Sequence, residues 1–314
     1  MAALIMRSLL TLVREYLAHR RRLGFILRNP HRMLPQFARF HERVAPGQPL
    51  TVNAIIKWAV EPGTGSRNYY VARLGMVRAF ARYCAVLDPR VQVPDYRLLG
   101  RGYRELRVRP HIYSSAEIKL ILHRARQIRP RRSPLRPLTY ETLVGFIACT
   151  GVRLNEALRL QLEDVDLERG TVRVPHSKYS PERVLPLHPS TVRALRRYRE
   201  TRVQEYPFGE HFFVGRAARC LKQSQVHAIF RSLIRGLAPN GERPRLRIYD
   251  LRHTFATRHI AQWNRESAPV THRLLLLFRY LGHQNFQDTW WYVSAEPAML
   301  RVASKRFEQF HGGA

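Results

Sequence analysis

The sequence is poor in acid. Against 54 lysines and arginines it sets 23 aspartates and glutamates, a formal net charge of +31. A field of that sign calls for a polyanionic partner; nucleic acid is the leading candidate and an anionic membrane surface the weaker one. Cysteine is scarce as well. Cys84, Cys149 and Cys220 stand far apart, with no C-x-x-C pair and no His/Cys group at zinc spacing. They read as reduced thiols of a cytosolic protein, which excludes a disulfide framework. No run of 18 apolar residues occurs, and the opening MAALIMRSLLTLVREYL becomes charged too early for a signal peptide. A membrane-spanning or secreted chain is therefore not expected. A glycine-rich phosphate loop is missing too, so the chemistry is expected to need neither a nucleotide nor an obligatory metal, and no cofactor is assigned.

What is present suffices for packed domains. The chain has 314 residues, 45% of them hydrophobic, which suits two domains. Residues 1–98 read as all-helical. Leu4 to Arg22 is one helix with Gly24 as its stop, and a second runs from Pro30 to Val44. Gly47 and Pro49 break the chain, and Thr51 can cap a third helix, VNAIIKWAV. After Pro62-Gly63, Ser66 can cap a fourth, where Val71, Leu74, Val77, Ala81 and Cys84 recur at helical spacing. Arg67, Arg73, Arg78 and Arg82 fall mostly off that stripe, as a solvated basic face or a DNA-facing one; the overall charge favours the second. Residues 99–112 read as a basic linker. A second domain, 113–314, begins at a capping signature, Ser114 with Glu117. Its helix TYETLVGFIACT is expected to end at Gly151. Turn signals at Glu168-Arg169-Gly170 and HSKYSPE divide the next stretch into a small antiparallel sheet of three strands. Helices are expected again from His188 to Arg202 and from Gln223 to Leu237.

The chemistry concentrates between Leu246 and Ser294, LRIYDLRHTFATRHIAQWNRESAPVTHRLLLLFRYLGHQNFQDTWWYVS. Attack on a phosphodiester needs a nucleophile and a group that neutralises the charge gathering on phosphorus. Arginine suits the second task, since it stays charged and can grip two phosphate oxygens. A tyrosine phenol can supply the first. Here Arg252-His253 is followed by Leu281-Gly282-His283, and Tyr292 comes nine residues after that histidine. Upstream, TGVRLNEAL sets Arg153 three residues before Glu156, a spacing that places them near each other on one helical face.

These spaced elements together resemble the tyrosine recombinase (phage integrase) family. The resemblance implies a mainly α protein: an all-helical core-binding domain that clamps DNA, then a mostly helical α+β catalytic domain. It also implies roles. Arg153 and Arg252 would be the paired catalytic arginines, Glu156 a supporting acid, His283 a phosphate contact and Tyr292 the nucleophile. Lys178, within S-K-x-x-x-E-R-V-L-P-L, would protonate the leaving 5′ oxygen, although a turn lysine is otherwise an ordinary solvated residue. One position departs from the pattern. Three residues before the second arginine the family usually has histidine, and Tyr249 stands there. A phenol with a pKa of about 10 can bind a phosphate oxygen but is a poor base. His253 reads as a supporting residue, because adjacent helix positions point in different directions.

The activity so implied is site-specific cutting and rejoining of double-stranded DNA through a 3′-phosphotyrosine and a Holliday junction. The protein would act as a homo-tetramer on two sites, in the bacterial cytoplasm at the nucleoid, in transposition of a mobile element. Two alternatives stay open: a type IB topoisomerase that relaxes DNA, and a non-catalytic DNA-binding protein. In the tail AEPAMLRVASKRFEQF, Leu300, Ala303, Phe307 and Phe310 form one apolar helical face, which could dock on its own core or on a neighbouring subunit.

Overall fold

The computed structural model describes residues 8–100, 110–131, 133–176, 181–237, 246–265 and 270–294. Lys178, most of the basic linker and the expected C-terminal helix lie outside these described residues. The architecture is mainly helical with one small sheet, and the chain divides into two compact units, Met1–Val108 and Arg109–Ala314.

The first unit holds α1 (Leu9–Arg22), α2 (Arg28–Val44), α3 (Val52–Val60) and α4 (Arg67–Leu87). The hydroxyls of Ser8, Thr51 and Ser66 each accept from a backbone N–H of the first turn of α1, α3 and α4. α2 begins before Pro30; in the first helical turn the missing proline N–H forfeits no bond. The inward faces bury Phe37, Trp58, Phe80 and Leu34 almost completely, each stabilising the unit by roughly 1.5–3 kcal/mol. One basic residue joins them. Arg73 was expected on a solvated or DNA-facing surface, but it is buried, its guanidinium 3.7 Å from the Trp58 ring centroid and donating to the Trp58 carbonyl. Arg67 and Arg82 remain exposed.

In the second unit, α5 (Ser115–Arg126) opens on a full capping box: the Ser114 hydroxyl accepts from the Glu117 N–H, and the Glu117 carboxylate accepts from the Ser114 N–H. α6 (Arg136–Thr150) stops at Gly151, whose φ of +62° only glycine adopts readily. α7 (Leu154–Arg159) leads to an antiparallel sheet of order β1–β2–β3, with β1 at Val165–Asp166, β2 at Thr171–Val174 and β3 at Arg183–Pro186. α8 (Pro189–Glu205) runs past its expected end. α9 (Gln223–Leu233) falls short of Leu237; Gly236 stands at φ +76° just beyond it, and Arg124 of α5 donates to the carbonyls of Leu233 and Arg235. A large core around Leu143, Phe146, Tyr198, Phe212 and Phe213 binds these elements.

Three further helices follow: α10 (Tyr249–Arg265), α11 (Val270–Leu281) and α12 (Phe286–Ser294). They share a smaller cluster of Phe255, Ala256, Ile260, Leu274, Leu277, Leu281 and Tyr292. Among the described residues no helix is long and apolar enough to cross a membrane.

Candidate active site

The site forms where α6, α10 and α11 end or begin against one another. Gly151 permits this approach: a Cβ there would lie 2.6 Å from the Phe255 ring of α10 and 3.2 Å from Leu281 of α11. Two residues later comes Arg153. It does not share a helical face with Glu156, as the spacing suggested. Arg153 is the N-cap residue of α7, and the Glu156 carboxylate reaches back to accept from its backbone N–H at 2.9 Å and from Nη1 at 3.0 Å. The arginine is thereby aimed outward from a helix start. Its guanidinium also donates to the Gly282 carbonyl at 3.2 Å, and the side chain keeps 24% exposure.

Arg252 sits deeper, at 1% exposure. Nη1 donates to the Gly151 carbonyl at 2.6 Å and Nη2 to the Leu281 carbonyl at 2.7 Å. Thus both arginines grip the Leu281-Gly282 turn. That turn exists because Gly282, at φ +65°, closes α11, with the His283 N–H returning to the Phe278 carbonyl. Asn285 then restarts the chain as α12, its side chain accepting from the Gln287 N–H.

His283 is buried, with Nδ1 2.6 Å from the hydroxyl of the equally buried Thr289. Burial, and then the charges of Arg252, Arg153 and Arg183, push its pKa down to about 3. It is therefore a neutral imidazole at physiological pH. Tyr292 projects from α12 into the same place at 2% exposure. Its ring stacks on His283 at 5.8 Å between centroids and meets the edge of His253 at 5.0 Å. Burial raises the Tyr292 pKa, and the adjacent Arg252 guanidinium works against that rise. Tyr249 is placed differently. It is 43% exposed at the start of α10, its ring 5.0 Å from that of His253.

So Arg153, Glu156, Arg252, His283 and Tyr292 converge, while Tyr249 stands at the edge. Two contributors escaped the sequence reading, and a third was read only as a supporting residue. The side chain of Arg183 on β3 is 8% exposed, with Nη2 2.7 Å from Glu156 Oε2 and Nε donating to the Tyr280 carbonyl at 2.7 Å. One carboxylate thus bridges Arg153 and Arg183. Burial alone would raise the Glu156 pKa; hydrogen bonding and charge from Arg183, then Arg153, overcome it and bring the pKa down to about 2. Burial also lowers Arg183, the opposite of what pairing does to a base, yet a guanidinium stays protonated, so the fall in Glu156 describes the pair. The second is Thr289, which orients His283. The third is His253, whose ring faces Tyr292 although neighbouring helix positions diverge, because α12 crosses α10 and covers both positions. A cavity of about 500 Å³ lies at the other end of α6, lined by Arg136 and Tyr140 among others, away from these residues.

Known proteins resemble this chain in sequence and in fold. The phage integrase family model matches residues 114–299. A Sinorhizobium fredii protein with the provisional name integrase/recombinase y4rB is 36% identical, over 95% of this chain and 96% of its own. Tyrosine recombinase XerD of Staphylococcus epidermidis is 28% identical over 54% of each chain. Among solved structures, the Tn1549 transposon integrase in complex with transposon right end DNA shares the fold, with a TM-score of 0.68 at 16% identity, over 96% of this chain and 99% of that one. A lambda integrase dimer bound to a core site gives a TM-score of 0.61 at 15% identity, over 89% and 96%.

Proposed function

The chain belongs to the phage integrase family, and from that premise we propose that it is a site-specific DNA recombinase in which Tyr292 attacks the scissile phosphate. The observation that carries this reading is the convergence of one buried phenol, one neutral imidazole and two arginines on the Leu281-Gly282 turn. In the attack the Tyr292 oxygen bonds to phosphorus and the bond to the 5′ oxygen breaks, which leaves a 3′-phosphotyrosine and a free 5′ hydroxyl. Arg153 and Arg252 bind the non-bridging oxygens, where fixed positive charge stabilises the pentacoordinate state most. If Thr289 donates to Nδ1, His283 presents its other N–H to a phosphate oxygen. Glu156 holds Arg153 in line, Tyr249 donates to the phosphate from the rim, and Lys178 protonates the leaving oxygen. The phosphotyrosine conserves the bond energy, so a 5′ hydroxyl of the partner strand can reverse the step without ATP.

Two such exchanges pass through a Holliday junction and complete recombination, in a tetramer on two sites. Residues 1–98 serve as a core-binding domain, 99–112 as a basic connection and 113–314 as the catalytic domain. The transposon integrase neighbour supports a role with a mobile element; the protein then acts where that DNA is, in the cytoplasm at the nucleoid. With Tyr292 covered, docking of DNA must uncover its oxygen.

Tyr292→Phe tests the reading. It should bind its DNA site as the wild type does and yield no covalent complex on a nicked suicide substrate. An adduct that persists in this variant overturns the assignment. Relaxation of supercoiled plasmid that needs no paired site would instead identify a topoisomerase.

A further inference from the structure

Tyr292 must lose its proton as its oxygen attacks, and burial makes that loss harder. Some group in contact with the phenol has to take the proton. Arg252 beside it is a cation and has no site for one. His283 stacks on the ring, but its low pKa makes it a weak acceptor, and Nδ1 is engaged with Thr289. Tyr249 is itself a phenol at the exposed rim. Among the described residues that leaves His253, a buried imidazole whose ring meets those of both Tyr249 and Tyr292 at 5.0 Å between centroids.

We infer that His253 is a catalytic residue, the base that accepts the Tyr292 proton. The inference rests on Tyr292 being the nucleophile. In cleavage the phenolic O–H bond breaks and its proton passes to an imidazole nitrogen of His253. The O–P bond forms, and the bond from phosphorus to the 5′ oxygen breaks, that oxygen taking a proton from Lys178. In rejoining, the 5′ hydroxyl returns its proton to Lys178 and attacks phosphorus, and the His253 imidazolium gives its proton back to the departing phenol. α10 supplies both parts of this arrangement: position 252 carries the charge that faces the phosphate, and position 253 carries the base that faces the nucleophile.

The test is single-turnover formation of the covalent complex on a nicked suicide substrate, at saturating protein, from about pH 5.5 to about pH 9.5. The charged and titratable groups around His253 are Tyr249 and Arg252 on α10, Tyr292 on α12 and His283 in the turn before α12; α6 presents the Gly151 carbonyl, not an acid. With a pKa near 3, His283 stays neutral throughout that range and cannot shape the profile. The wild-type rate should rise with pH and then level off, as a titrating base requires. His253→Gln should bind DNA normally, form the adduct roughly 100-fold more slowly, and climb across the whole range without levelling. His253→Asn serves as a second variant should glutamine disturb packing. The inference is overturned if either variant cleaves at the wild-type rate, or cleaves slowly but keeps the wild-type plateau. Should neither variant fold, the wild-type profile decides, because a rate that never levels leaves no titrating base to assign. Failure of the nucleophile reading is distinguishable, since it appears as an adduct in Tyr292→Phe.

Discussion

Two of the arginines that are buried among the described residues, Arg73 and Arg252, are held to different ends. In the first unit Arg73 lies over the Trp58 ring and donates to the Trp58 carbonyl and the Tyr69 hydroxyl. Its charge is spent on the aromatic faces and carbonyl of its own core. In the α10–α12 cluster Arg252 is equally inaccessible and also donates to carbonyls. Its other neighbours, however, are a second arginine, an imidazole and a phenol. The same residue type, buried in the same chain, is a fastening in one place and, on the function we propose, part of the reactive centre in the other. Burial alone therefore does not mark the candidate site, and neither does a phenol alongside; a second arginine and an imidazole gathered with the phenol do.

Substitutions can sharpen that contrast. Arg252→Ala should slow covalent complex formation by about 1000-fold, roughly 4 kcal/mol of barrier, with DNA binding much less affected. A loss no greater than that of a packing variant would erase the distinction. Arg183→Ala strips Glu156 of its buried partner and should destabilise the fold by about 3 kcal/mol, measured by denaturant unfolding at neutral pH. The wild type has a related acid sensitivity. The Glu156 pKa lies below its ordinary 4.5, so its contribution is present above that pH and is lost as pH falls towards about 2. Arg183→Ala should show a smaller loss over that interval, and an unchanged slope would deny the pair any role. Tyr249→Phe should slow cleavage roughly 10- to 100-fold, about 1.4–2.7 kcal/mol; the wild-type rate would make Tyr249 a bystander on the rim. Arg73→Ala should leave the single-turnover rate within about two-fold once the protein is saturating, although it lowers the melting temperature. A large drop in rate there would break the comparison from the other side.

Much of this was legible in the sequence, for reasons that differ by element. Local devices were readable because they complete themselves within a few residues: Thr51, Ser66 and the Ser114/Glu117 pair cap helices, and Gly151 ends one. The three strands followed from their turns. The convergence on Tyr292 was foreshadowed by spaced motifs, not by periodicity. What stayed hidden depended on partners from distant elements. Arg73 was read as part of a basic, DNA-facing surface because nothing in α4 announces Trp58 on α3. Arg183 was missed because β3 keeps its alternation but sets a charged residue on the inward side with Leu185, turned to Glu156, while Val184 faces out at 60% exposure. Arg153 and His253 were misplaced by treating helix positions as if caps and crossing helices did not re-aim them.

The way Arg252 is held has one more consequence. Its two anchors are the carbonyls of Gly151 and Leu281, which lie where α6 and α11 end. The C-terminal end of a helix carries partial negative charge, enough to orient a cation but short of a full countercharge. A carboxylate in the same position would fix the guanidinium equally well, but it would cancel the charge and repel an incoming phosphate. Two helix ends act as a mount that carries no formal charge of its own. Since backbone carbonyls do not titrate, neither acid nor base can switch that mount off. The attraction this arginine offers a phosphodiester is thereby written into the path of the main chain, and it depends on Gly151 keeping the turn that aims its carbonyl.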